Sequence, residues 1–316
     1  MDLVPGGLDF PPGSRRPGAA VPAAYAQSIA SQCANPVICT VETGEGSKSL
    51  TVLGQLWQTM LDHDFSRKDC VVAVGGGVVG DLSGFAASTY MRGIDFYNIP
   101  TTLLSQIDSS IGGKTAINLG GVKNIVGAFY QPKKVLIDPE LLQTIPKRQI
   151  SNGLAEAIKM ALTSDQALFD IFEHGDVETQ IDQIIIRSLQ IKKSVVEQDE
   201  KEAGLRKILN FGHTIGHGIE SSENLSKLYH GECVALGMIP MCDETIRTRV
   251  IEVLKKCNLY NIIDFDWEKI AEAAFHDKKA DGDSVMVTTV QEVGSFELKT
   301  MKCTEVIDMA KSCFEG

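Results

Sequence analysis

Read at helical spacing, Glu202, Arg206, Asn210, His213 and His217 fall on one stripe, about 80° wide at ~3.6 residues per turn, while Leu205, Ile208 and Ile215 point elsewhere. Five polar or ionisable groups in a row are not a core face, because an unpaired charge taken out of water costs several kcal/mol. A ligand or metal is implied. His230, in Tyr-His-Gly-Glu downstream, completes a cluster that holds half of the chain's six histidines. Zinc prefers nitrogen and oxygen donors in a tetrahedron, and two imidazoles with one carboxylate leave a position open for substrate. His213, His230 and Glu156 supply that set. His217, at i+4 from His213, is either an alternative ligand or a free acid/base, and the second role is preferred. Glu156 and Lys159 lie at i, i+3 on one helix face of Gly153 to Lys159, a spacing that usually means a surface ion pair. The apolar flanks, and a histidine cluster in want of a carboxylate, favour a functional pair here.

Two glycine loops offer anion sites. Val71 to Val74 leads into Gly75-Gly76-Gly77-Val78-Val79-Gly80-Asp81-Leu82, a G-x-G-x-x-G pattern between a strand and a helix, which lets backbone N–H groups approach a pyrophosphate. Asp95 fits by count as the acidic residue that follows such a loop, although it reads more simply as a surface residue; Glu45 and Lys48, in Thr-Gly-Glu-Gly-Ser-Lys, offer the same role from another loop. Asp108 to Thr115 is the second glycine loop. Its Lys114 resembles a phosphate-binding lysine without completing a Walker sequence, and Lys123-Asn124 adds basic density.

The elements that must carry these residues change character along the chain. From about Ala20 to Lys147, short apolar runs alternate with amphipathic stretches and glycine turns, which predicts a parallel sheet with helices on its faces. Beyond Pro146 come long amphipathic stretches, Gly153 to Thr163, Val177 to Glu197 and Cys233 to Leu254, with a late strand or hairpin at Ser284 to Thr289 and Ser295 to Leu298. The expected division is a Pro/Gly-rich unstructured leader over 1–20, an α/β nucleotide-binding domain over 21–146 and a mainly α-helical metal- and substrate-binding domain over 147–316. A net charge of −11 argues against nucleic acid or an anionic membrane as partner, and leaves a small molecule. Eight scattered cysteines without a Cys-x-x-Cys pair read as reduced thiols of a cytoplasmic protein.

Taken in order, Gly75 to Leu82, Tyr90-Met91-Arg92-Gly93, Pro100 to Leu104, Asp108 to Lys114, Gly153 to Lys159, Leu209-Asn210-Phe211-Gly212-His213-Thr214-Ile215-Gly216-His217 and His230-Gly231-Glu232 closely resemble the 3-dehydroquinate synthase family of sugar-phosphate cyclases. The resemblance implies a Rossmann-like NAD-binding domain followed by a helical metal-binding domain. It also implies an NAD-dependent lyase requiring Zn2+, or Co2+, which turns 3-deoxy-D-arabino-heptulosonate 7-phosphate into 3-dehydroquinate and phosphate in the shikimate pathway. By the same resemblance, Glu156, His213 and His230 are metal ligands. Glu45, Lys48, Gly76, Gly77, Val78, Asp81, Thr101, Thr102, Lys123, Thr144 and Asn152 match NAD contacts. Arg92, Asp108, Lys114, Asn124, Lys192, Arg206 and Asn210 match substrate contacts, with Lys278 or Lys279. Glu202 and His217 match proton-transfer residues, with Lys159 beside the ligand Glu156 as a further catalytic group. A homodimer is implied, with Arg92 reaching the neighbouring subunit's site. Three departures stand out: the leader replaces the family's N-terminal strand, Gln149 replaces Glu after Pro-x-Arg, and Ser221 to Tyr229 is about one residue longer. Rival readings are a sister cyclase, a metal-dependent polyol dehydrogenase, or a catalytically silent scaffold.

Overall fold

The computed structural model describes residues 2–5 (backbone only), 21–202, 204–222, 228–275 and 283–315. The chain divides into two compact units, Met1–Pro146 and Lys147–Gly316.

The first unit is built on a parallel sheet. Its strands are β1 (Asp2–Pro5), β2 (Pro36–Cys39), β3 (Cys70–Gly75), β4 (Asp95–Pro100) and, after a hairpin of β5 (Lys114–Leu119) and β6 (Val122–Phe129), β7 (Lys134–Val135), in the order β2-β1-β3-β4-β7. β3 is Val-rich because both of its faces are covered. Val71 and Ala73 pack with Leu53, Leu56 and Met60 of α2 (Leu50–Asp62) and with Leu82, Phe85 and Ala86 of α3 (Gly77–Thr89). Val72 and Val74 face Ala26 and Ala30 of α1 (Ala23–Ala30) on the other side. The period-2 alternation of a strand thus assigns its four apolar residues to two cores.

The expected leader needs a correction at its start. Asp2–Pro5 pair in parallel with Pro36–Cys39 and, through Asp2 and Leu3, with Cys70 and Val71. A strand in that slot satisfies two ladders that would otherwise end as unpaired edges; the Pro/Gly punctuation after Val4 hides so short a strand from a pattern reading. The remainder of the expected leader, residues 1 and 6–20, lies outside the described residues. The strand order reverses direction between β1 and β3, so the carboxyl end of β3, where Gly75-Gly76-Gly77 opens α3, sits at a topological switch point.

In the second unit the middle of α4 (Lys147–Ser164) is buried without a break from Ser151 to Thr163. Around it lie α5 (Gln166–His174), α6 (Ile181–Gln198), α7 (His213–Ser222), α8 (His230–Met238), α9 (Glu244–Lys256), α10 (Trp267–Phe275), an antiparallel hairpin of β8 (Ser284–Thr289) and β9 (Glu297–Lys302), and α11 (Cys303–Glu315). The stretch Cys233 to Leu254 is two helices, because Pro240 interrupts the ladder and Asp243 caps a new start through Thr245 N. Nor does one helix carry the polar stripe. Leu205–Asn210 is a 3-10 helix, Glu202 precedes it, and Gly212 at φ +77° breaks the chain before His213.

That break is held by close helix contact. A Cβ on Gly212 would meet Val234 O at 2.7 Å, and one on Gly237 would meet Gly212 O at 2.1 Å. The start of α7 is therefore pressed on α8, and the two histidine-bearing helices share one backbone-to-backbone seam. Gly237→Ala must push them apart and is expected to cost about 1–3 kcal/mol, read as a lower denaturation midpoint; an unchanged midpoint would show that the seam can open freely.

Candidate functional site

In the second unit, α4, α7 and α8 bring Glu156, His213 and His230 together. Glu156 is fully buried, and its Oε2 accepts a hydrogen bond from Lys159 Nζ one turn along α4. Its Oε1 is buried without a hydrogen-bond partner. His213 Nε2 lies 3.6 Å from it and His230 Nε2 3.5 Å. Those separations are too long for good hydrogen bonds, but they suit donors around one ion, since ligands at ~2.0–2.1 Å from a tetrahedral centre stand about 3.4 Å apart.

Both imidazoles are held from their far side. His213 Nδ1 is 3.1 Å from Phe211 O, and His230 Nδ1 is 3.0 Å from Glu220 Oε2. A proton on each Nδ1 satisfies these acceptors, the arrangement that orients metal-binding histidines; Nε2 of a neutral ring then has its lone pair beside Glu156, and Nε2 of His230 would gain one when an ion displaces its proton. Glu220 was not legible in the sequence as a site residue; its position one helix turn before the loop to His230 gives no local signal. His217 follows His213 on α7, with ring centroids 5.1 Å apart, and is more exposed. Nitrogens of His213, His217 and His230 also lie within 4.8 Å of one another. The set containing Glu156 adds an anionic oxygen to two of these nitrogens, so an ion held there would answer the buried Oε1.

Electrostatics divides the two histidines. Burial pushes His213 down to about 3, helped by the Lys159 ammonium, so its imidazole is neutral at pH 7. For His230 burial acts the same way, but the carboxylates of Glu156 and Glu220 outweigh it and hold the ring up to about 10. Burial alone would raise the Glu156 carboxyl; Lys159 and the two histidines keep it well below its usual range instead.

The other expected residues of this unit are placed as follows. Lys192 and Arg206 are buried, and Arg206 Nη1 donates to Glu200 O at 2.5 Å. Asn210 Nδ2 donates to Glu202 Oε1 at 2.9 Å, and Glu202 sits at φ +61°. Both line a cavity of about 490 Å³ against the β8–β9 hairpin, with Lys207 and Thr288. Asn152 spends its side-chain oxygen on Gly231 N at 2.7 Å, beside His230. Lys278 and Lys279 lie outside the described residues.

In the first unit, the turn before α2, the first turns of α3 and the start of β6 converge on one lysine. Lys48 is buried, its Nζ 2.6 Å from Asp81 Oδ2 and 3.5 Å from Glu45 Oε1, and it donates to Asn124 Oδ1. Asn118, which the sequence reading missed, ties the set together: its Nδ2 donates to Glu45 Oε1 at 3.0 Å, and its Oδ1 accepts from Asn124 N at 2.9 Å. Gly76 caps α3, Gly77 and Val78 form its first turn, and Thr102 packs where a Cβ on Gly76 would lie, at 3.1 Å. Thr101 N donates to Gly75 O. Asp108 lies in a short π-helical turn, Ser105–Ser109, of the kind that often marks a functional loop. Lys114, Lys123 and Thr144 are exposed, as is Arg92, which lies at φ +69°. Asp95 forms only an exposed ion pair with Lys133, in keeping with a surface role.

The chain is similar to known proteins along both units. The 3-dehydroquinate synthase N-terminal family model matches residues 38–152 and the 3-dehydroquinate synthase C-terminal model matches 153–280. The 3-dehydroquinate synthase of Thermoanaerobacter pseudethanolicus is 43% identical over 86% of this chain and 81% of its own length. That of Clostridium kluyveri is 40% identical over 85% and 79%. Among solved structures, a 2-deoxy-scyllo-inosose synthase complexed with carbaglucose-6-phosphate, NAD+ and Co2+ superposes with a TM-score of 0.86 at 27% identity, covering 99% of this chain and 90% of that one. A 2-epi-5-epi-valiolone synthase from Streptomyces hygroscopicus, with NAD+ and Zn2+ bound, gives 0.85 at 25% identity over the same shares.

A divalent ion at Glu156, His213 and His230 must displace the proton on His230. Below about 10 that proton is present, so apparent metal affinity rises with pH by roughly tenfold per unit between about pH 6.5 and 8.5. Calorimetry in buffers of different ionisation heat is expected to show one proton released per ion; none released would mean that His230 is already neutral when the ion binds.

Proposed function

We propose that this chain, which belongs to the 3-dehydroquinate synthase family, converts 3-deoxy-D-arabino-heptulosonate 7-phosphate into 3-dehydroquinate and phosphate, a step of the shikimate pathway of aromatic amino acid biosynthesis. The observation that carries the metal half of this reading is the buried Glu156 Oε1, without a hydrogen-bond partner and faced by two oriented Nε2 atoms. When bound, Zn2+ or Co2+ would acidify a substrate hydroxyl, and NAD would accept a hydride and return it.

In this reading unit 147–316 is the metal- and substrate-binding domain and unit 1–146 the NAD-binding domain. Glu156, His213 and His230 hold the ion, and Lys159 keeps the Glu156 carboxylate charged and turned. His217, exposed next to the ligand rings, and Glu202 carry protons. Arg206, Asn210, Lys192, Lys114, Asn124, Asp108 and Lys278 bind the substrate, the cationic ones cradling the departing phosphate through charge-assisted hydrogen bonds. The glycine loop at the switch point receives the pyrophosphate at the N-terminus of α3, while Glu45, Lys48, Asp81, Thr101, Thr102, Lys123, Thr144 and Asn152 hold the rest of NAD. A homodimer completes the site with Arg92 of the second copy. All eight cysteines are free thiols, and no described helix is long and apolar enough to cross a membrane; both fit the cytoplasmic setting we assign.

With the heptulosonate phosphate as substrate and catalytic NAD, the protein is expected to release phosphate without accumulating NADH. Stoichiometric NADH would favour the polyol dehydrogenase reading. A chelator, and separately His213→Ala, should lower phosphate release by more than about 100-fold, because loss of a ligand disables the ion that polarises the substrate. Turnover that survives chelation would remove the metal from the account.

A further inference from the structure

We propose that Arg148 is a positioning residue of the metal centre, acting through Glu232 on the segment that carries His230; the proposal rests on the metal reading above. α4 meets α8 as a three-rung ladder. Arg148, Asn152 and Glu156 follow one another at i, i+4 and i+8 on one face of α4. They face Glu232, Gly231 and His230, the first turn of α8, taken in reverse order. On the outer rung, Arg148 Nε and Nη2 grip the two carboxylate oxygens of Glu232 at 2.8 and 2.7 Å. On the middle rung, Asn152 Oδ1 accepts from Gly231 N at 2.7 Å. On the inner rung, His230 Nε2 lies 3.5 Å from Glu156 Oε1.

The outer rung is more than a surface ion pair. Glu232 is 1% exposed, and its Oε2 accepts from Tyr229 N at 2.7 Å, so the same carboxylate that Arg148 grips closes the N-terminus of the ligand helix. Asn261 Nδ2 adds a third donor at 3.2 Å. Arg148 also lays its guanidinium 4.3 Å from the centre of the Tyr229 ring, directly before His230. A forked, planar cation makes both contacts at once; a lysine does not. The middle rung leaves no slack, since a Cβ on Gly231 would stand 2.1 Å from Asn152 O. With α4 and α8 in backbone contact there, loosening the outer rung lets α8 pivot about Gly231, and the atom displaced at the other end is His230 Nε2. Arg148 touches neither ion nor substrate, so its effect has to appear in how well the ligands are held.

The test strips the full-length protein of metal and titrates Co2+ against a competing chelator while recording the visible spectrum of the bound ion. Arg148→Met is expected to weaken Co2+ binding about tenfold, in the range found for supporting residues around metal ligands, to shift the Co2+ spectrum, and to regain most of its kcat at saturating Co2+. Glu232→Gln keeps the acceptor for Tyr229 N but loses the charge, and should shift affinity the same way. Arg148→Lys should recover only part of the loss. Lys147→Ala, which removes an exposed pair with Glu178, serves as the neighbouring control and should match the parent. If Arg148→Met binds Co2+ with the parent's affinity and spectrum, even at a lower melting temperature, the residue is only structural and the proposal is wrong. If the parent protein itself takes up no Co2+, the metal reading falls first and the proposal with it.

Discussion

A carboxylate with no exposure to water and one oxygen without a hydrogen bond is the constraint around which the second unit is arranged. Glu156 is buried in the middle of α4, and a lone charge there would cost several kcal/mol. Lys159 answers one oxygen; the other is faced by two imidazole nitrogens, neither close enough to satisfy it. A cation at the meeting point of these three atoms would satisfy the oxygen, use both lone pairs and offset the burial of all three groups. The protonated His230 performs part of that service in its place.

Holding three donors from three helices in register is a backbone problem before it is a side-chain one. Gly212, Gly216 and Gly237 let α7 and α8 touch, while Gly231 lets α8 touch α4. Where these helices meet, side-chain spacers are absent, so the separation of His213, His230 and Glu156 is set by main-chain contact. The first unit meets a related difficulty differently. Its charged set around Lys48 is drawn from the turn before α2, from α3 and from β6, and Asn118 of β5 and Asn124 of β6 fasten the hairpin to that turn by amide hydrogen bonds.

Much of this could be read from the residues alone. The clustering of histidines, the want of a carboxylate, and the glycine loop between an apolar strand and a helix are local signals, and α/β followed by helical texture gave the fold class. Contacts that depend on the tertiary arrangement were beyond such a reading. Glu220 and Asn118 are unremarkable in sequence and acquire their roles only by what the fold places opposite them. The polar stripe from Glu202 to His217 rested on a single-helix premise that fails at Gly212, because a glycine's left-handed turn leaves no mark in side-chain periodicity. β1 was missed because four residues beside Pro and Gly carry too little periodicity to outweigh their punctuation.

The most direct test of the central claim is anomalous diffraction at the cobalt edge from crystals of the Co2+-loaded protein. The account predicts one strong peak coordinated by Glu156 Oε1, His213 Nε2 and His230 Nε2, with His217 outside the coordination shell. A peak held by His213, His217 and His230 with Glu156 turned away, or no peak in the second unit, would contradict it.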